Sequence, residues 1–349
     1  NIFAAEALQI DPEYIGAMYL KARCYMYIGN YDSALYFYNN ISKIDPTHYL
    51  GYTGKGHLYM LYLNDVDSAF KYLVKGIQLA PNNPWTNLTL AQIYGGIKND
   101  VIRALPFFER AYELDGESSS VINFQIASAM ASIGDYPSAL KYMKTAMDIR
   151  KECVLVGNYS YLLICQTDYD AAVQFLDSIC PKSQCEKICI RQKFVIAMIQ
   201  GNIEQAEEYY HMAPETPSLP RFLDALMNAC FFLESGRTKE GNSILEDLIK
   251  IQKDLLNEDL NRRDLTLSYW MLSGAYALLN DKVKAIHYLS KLEESGFFAG
   301  MQDFIMIFPA FENLWEDPQF NIIMKRVQEE KTTIRDQVSE MRSTGEIHI

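Results

Sequence analysis

Ala34, Ala69, Ala104 and Ala139 stand 35 residues apart in an unbroken series, and a looser continuation runs through Ala172, Ala206, Gly241 and Ala285. A fixed interval of that size marks stacked two-helix units, none of which can bury its apolar face alone, so that each packs on its neighbours. Such a chain escapes the size limit on a single hydrophobic core, and 349 residues need not split into conventional domains. The expected fold is all-α: an α–α superhelix of about eight helix–turn–helix repeats, closed by a C-terminal capping helix.

The first full unit carries Ala22, Tyr25, Gly29, Tyr31, Ala34, Tyr38 and Pro46. Ala22 and Ala34 let two antiparallel helices approach closely, Gly29-Asn30-Tyr31 supplies the turn between them, and Pro46 ends the second helix. This spacing resembles the tetratricopeptide repeat, a unit of about 34 residues that builds a right-handed solenoid. The second unit offers Gly56, Tyr59, Ala69 and Pro81; the third Ala91, Tyr94, Ala104, Phe108 and Ala111; the fourth Ala127, Gly134-Asp135-Tyr136, Ala139 and Ala146. One extra turn residue, around Asn64-Asp65-Val66 and Asn99-Asp100-Val101, accounts for the step of 35. Read in register, the units fall at approximately 15–48, 49–83, 84–118, 119–151, 152–185, 186–220, 221–263 and 264–300, with a cap and long helix over 301–349. The 44-residue step from Gly241 to Ala285 predicts a lengthened second helix through Ile244, Leu248, Ile251 and Leu255, then a polar loop from Asn257 to Arg263. Phe3 to Pro12 reads as the second helix of a repeat lacking its first, so the chain is expected to be the C-terminal piece of a longer protein.

A hydrophobic content of 49% supports a folded chain, and no apolar run approaches the ~18 residues of a membrane span. A net charge of −12 argues against wrapping nucleic-acid backbone, which needs clustered lysine and arginine. Seven cysteines in a chain of this size are expected to be mostly reduced core residues, which points to the cytoplasm. Cys180, Cys185 and Cys189 lack the paired spacing of zinc ribbons and have no evident fourth ligand, so no metal or other cofactor is expected. The five histidines are scattered and no catalytic constellation appears; Gly54-Lys55-Gly56-His57 lies inside a helix and reads as packing glycines rather than a phosphate loop.

The repeat resemblance implies that first-helix positions line a concave groove. They map to Tyr19, Arg23 and Tyr27, to Thr53, His57 and Met60, to Trp85 and Gln92, and to Phe124, Gln125 and Ser128. Aromatics mixed with an arginine and amides suit an extended peptide, since tyrosine, tryptophan and arginine are the common anchors of interfaces. Arg23 stands where the chaperone-tail-binding branch has an asparagine, which argues against that ligand.

After the last repeat, Asp317 can cap a helix beginning at Pro318, leaving Phe311, Leu314, Trp315 and Phe320 to close the end of the solenoid. The string P-x-F-x-x-L-x-x-D-P-x-F from Pro309 resembles the closing segment of tetratricopeptide regions in bacterial signalling proteins, whose output domain is N-terminal. In the last helix, Phe320, Met324, Val327, Ile334, Val338 and Met341 form a stripe with Lys331 in the remaining slot. Ile334, Val338 and Met341 are expected either to fray into solvent or to pack on another surface, in a homodimer or an intramolecular contact. The expected function is a non-enzymatic protein–protein interaction scaffold, the regulatory arm of a bacterial signalling or transcription-control protein. The alternative is a module that senses a small molecule or peptide in the groove.

Overall fold

A computed structural model describes residues 2–63, 65–180, 184–213, 224–258, 262–295 and 301–349, and among them there is no β-strand. The chain divides into two compact units. Unit 1 holds residues 1–117 with 347–349 and contains α1 (Ile2–Ile10), α2 (Ile15–Tyr27), α3 (Tyr31–Ile44), α4 (Tyr49–Leu61), α5 (Val66–Leu79), α6 (Pro84–Gln92) and α7 (Val101–Asp115). Unit 2 holds 118–346. Its helices are α8 (Ser120–Ser132), α9 (Tyr136–Ile149), α10 (Cys153–Cys165), α11 (Tyr169–Ile179), α12 (Glu186–Ile199), α13 (Ile203–Met212), α14 (Asp224–Glu234), α15 (Thr238–Leu255), α16 (Arg262–Leu278), α17 (Lys282–Ser295), α18 (Met301–Ile305) and α19 (Pro318–Ser343).

The alanine series is the seam of the helix pairs. Ala34, Ala69, Ala104, Ala139, Ala172, Ala206 and Ala285 are all at 0% exposure. Four residues ahead of each stands an asparagine or aspartate. Asn30, Asp65, Asp100, Asp135, Asp168 and Asn202 each cap a second helix, accepting the N–H of the residue three further on. The residue before the cap is left-handed in each described turn of this kind, as at Gly29 (φ 78°), Gly134 (φ 75°) and Asn280 (φ 59°). The turn, the cap and the small buried residue therefore form one repeating local signal.

Close approach explains the Gly54–His57 segment. A Cβ on Gly54 would stand 2.1 Å from the Tyr38 ring and one on Gly56 2.5 Å from the Leu73 side chain, so both glycines are sites of helix packing. The lengthened second helix is present as α15, 18 residues long. The polar loop after it is shorter than expected, because Arg262 and Arg263 already belong to α16; residues 259–261 lie outside the described residues, as does Asn64 of the second turn.

The cysteines correct the expectation of free thiols. Cys153 at the start of α10 is joined to Cys185, and Cys180 after α11 to Cys189 of α12, with Cα separations of 5.1 and 6.0 Å. Cys24, Cys165 and Cys230 are not disulfide-bonded. Four of seven thiols are thus tied, and the argument for a reducing compartment built on them falls away. No helix among the described residues is long and apolar enough to cross a membrane.

Candidate functional site

In unit 1, α2 places Tyr19, Arg23 and Tyr27 at steps of four, on one helical face. The Arg23 guanidinium donates to the Tyr27 hydroxyl at 3.1 Å and lies 5.9 and 5.8 Å from the Tyr19 and Tyr27 ring centroids. Behind it, Tyr19 packs on Tyr38 at 6.0 Å between centroids. The bond to Tyr27 holds the guanidinium cationic, and burial pushes the Tyr19 and Tyr38 hydroxyls above the usual tyrosine range. Arg23 forms no ion pair among the described residues. Tyr27 and Trp85, on α2 and α6, are 64% and 48% exposed.

The other expected groove residues are placed differently. His57 is turned to Thr89, 2.7 Å from its hydroxyl, and burial, helped by the Arg23 charge, drives its pKa down to about 4. It serves as a neutral link between α4 and α6. Thr53 is buried against Gly76, while Gln92 is half-buried at the end of α6. Phe124 and Gln125 belong to unit 2, on α8, and are half-buried.

In unit 2 the chain's own C-terminal segment covers first helices. Phe304 packs on Tyr161 of α10 at 5.5 Å, and Phe308 and Phe311 on Trp270 of α16 at 5.9 and 6.0 Å. Asn313 donates to the Ala277 carbonyl at 2.7 Å. Asp317 caps α19, accepting from Gln319 and Phe320. Further along, Arg326 pairs with Glu293, while Arg342 pairs with Asp135 at 2.7 Å and reaches Ser138 at 3.2 Å. Arg342 and Ser138 outweigh the effect of burial and hold the Asp135 carboxyl below the ordinary carboxylate range.

Along α19, Val338 and Met341 are buried at 1% and 8% and Ile334 is half-buried. Lys331, in the remaining slot of the apolar stripe, is 5% exposed and paired with Asp303, which also accepts from the Tyr136 hydroxyl. Sequence reasoning missed this cluster because its partners lie 28 and 195 residues away; the only signal was a lysine in an apolar slot, which demands a buried acid. The polar end also holds a surprise in unit 1, where the His348 and Ile349 amides both donate to Glu109 at 3.0 Å.

Residues 16–48 and 51–83 each match a tetratricopeptide repeat family profile. Over 134 residues, 38% of its length, the chain is 28% identical to anaphase-promoting complex subunit 3 of Schizosaccharomyces pombe, and it spans 20% of that relative. Among solved structures, a tetratricopeptide repeat protein from Parabacteroides merdae superposes with a TM-score of 0.50 at 16% identity, over 80% of this chain and 98% of that one. The type IV pilus biogenesis factor PilW gives 0.48 at 18% identity, over 57% and 91%. Repeats of this type are typically non-catalytic scaffolds for protein–protein contact. The chain is thus an all-α helix-pair fold that carries tetratricopeptide repeats.

Proposed function

We propose that the chain is a non-enzymatic scaffold whose docking face in unit 1 is the first-helix surface bearing Tyr19, Arg23, Tyr27 and Trp85, and that it takes an extended peptide carrying a carboxylate. The observation that carries this reading is Arg23, a cation held between two tyrosine rings with no acidic partner among the described residues, in a chain of net charge −12. A guanidinium fixed in that way is preorganised for a carboxylate, and the exposed aromatics beside it are typical interface anchors. In unit 2, by contrast, Tyr161 and Trp270 are already occupied by Phe304, Phe308 and Phe311.

Selection of peptides from a random library against the full chain tests this. Selected sequences should be enriched in Asp, Glu or a terminal carboxylate, and Arg23→Ala and Trp85→Ala should each weaken them by about 1 kcal/mol or more. Peptides without acidic preference that bind Arg23→Ala undiminished would overturn it. That the scaffold is the regulatory arm of a bacterial signalling or transcription-control protein is supported by the string from Pro309 to Phe320 alone. The gene upstream tests that point: a cyclase or DNA-binding domain agrees with it, and an unrelated domain contradicts it.

A further inference from the structure

Unit 2 contains an open pocket of about 340 Å³ between α19 and the turns that end α8 and α10. We infer that it is a binding site for a small organic carboxylate with an apolar body, a site separate from the docking face of unit 1. Its size falls within the range of small-molecule pockets, at the lower end.

The charges in its wall do not cancel. Asp303 is satisfied by Lys331 and the Tyr136 hydroxyl, which leaves the guanidinium of Arg335 with no hydrogen bond or ion pair among the described residues. Gln328, Lys331 and Arg335 follow at steps of three and four and so share one face of α19, and the Gln328 amide also has no partner among the described residues. One uncompensated positive charge beside a free amide, in a chain of net charge −12, suits a carboxylate. Met306 and Ile307 in the same wall suit an apolar body.

A second observation is the backbone at Thr167, which also lines the cavity. Its φ is 60°, in a turn position where every other left-handed residue described is glycine or asparagine. A β-branched residue is strained in the left-handed conformation that this turn of the repeat requires. Thr167 lines the pocket, and its hydroxyl donates to the Gln166 carbonyl at 2.6 Å.

The test is calorimetric titration of benzoate into the full chain, with benzamide as the neutral isostere. Benzoate should saturate in the millimolar range, and benzamide and the Arg335→Gln variant should each show at least about ten-fold weaker binding. Because Arg335 is exposed and unpartnered, the variant should melt with wild type, which separates loss of the site from loss of the fold. No saturation by about 20 mM, equal binding of benzamide, or undiminished binding by Arg335→Gln would overturn the proposal. Displacement of benzoate by an equal concentration of inorganic phosphate would overturn the assignment to an organic carboxylate.

Discussion

Leucine at position 104 drives three additional carbon atoms into a fully buried helix contact of unit 1. Ala104 is at 0% exposure, and a Cβ built on Gly95 would already stand 3.4 Å from its methyl. Neither side can yield easily, since Gly95 lies in the π-helical turn Ile93–Ile97 and the Ala104 amide is fixed to the Asp100 carbonyl at 3.1 Å. Overpacking of this kind costs about 1–3 kcal/mol. For a unit of this size each kcal/mol moves the melting temperature by roughly 4 °C, so Ala104→Leu should lower it by about 4–12 °C. Arg103→Leu is the control, as its side chain is 73% exposed and its loss should change stability by less than about 1 kcal/mol. Thermal and urea melts of both variants decide the matter. A leucine variant that melts within a degree of wild type would show that the alanine series does not mark the helix contact.

His57 is neutral in the fold, its pKa lowered to about 4 from 6.5, so its contribution is complete above pH 6.5 and is lost as pH falls toward 4. The loss should be on the order of 3 kcal/mol, and His57→Gln should flatten the stability curve in that window; an unchanged slope would refute the buried placement. Lys331→Met should cost about 1–3 kcal/mol by stranding Asp303, and adding Asp303→Asn should recover part of it, which urea melts of the double-mutant cycle would measure. Alkylation in denaturant without reductant should label Cys24, Cys165 and Cys230 alone, as read by mass spectrometry; labelling at all seven positions would contradict the pairing.

The helix-pair fold was legible because its signal is local and repeated. Each turn, cap and alanine lies within six residues of the others, so the pattern shows in linear sequence wherever the chain is cut. The site was less so. Spacing alone put His57 and Arg23 on equal terms, yet one is spent on Thr89 and the other is left without an acid, a difference decided by the neighbouring helix. The disulfides were invisible for the same reason, since Cys153 meets Cys185 only when α10 and α12 stack. The cover over Tyr161 and Trp270 depends on where the C-terminal segment returns, and periodicity could show only that α19 had an apolar stripe to bury.

Hydrogen–deuterium exchange of the full chain, with and without a selected acidic peptide, tests the central claim most directly. Added peptide should protect α2, α4 and α6 in unit 1, leave α10 and α16 of unit 2 unchanged, and lose its effect on Arg23→Ala. Protection confined to α3, α5 and α7, or appearing in α10 and α16, would contradict the assignment of the docking face.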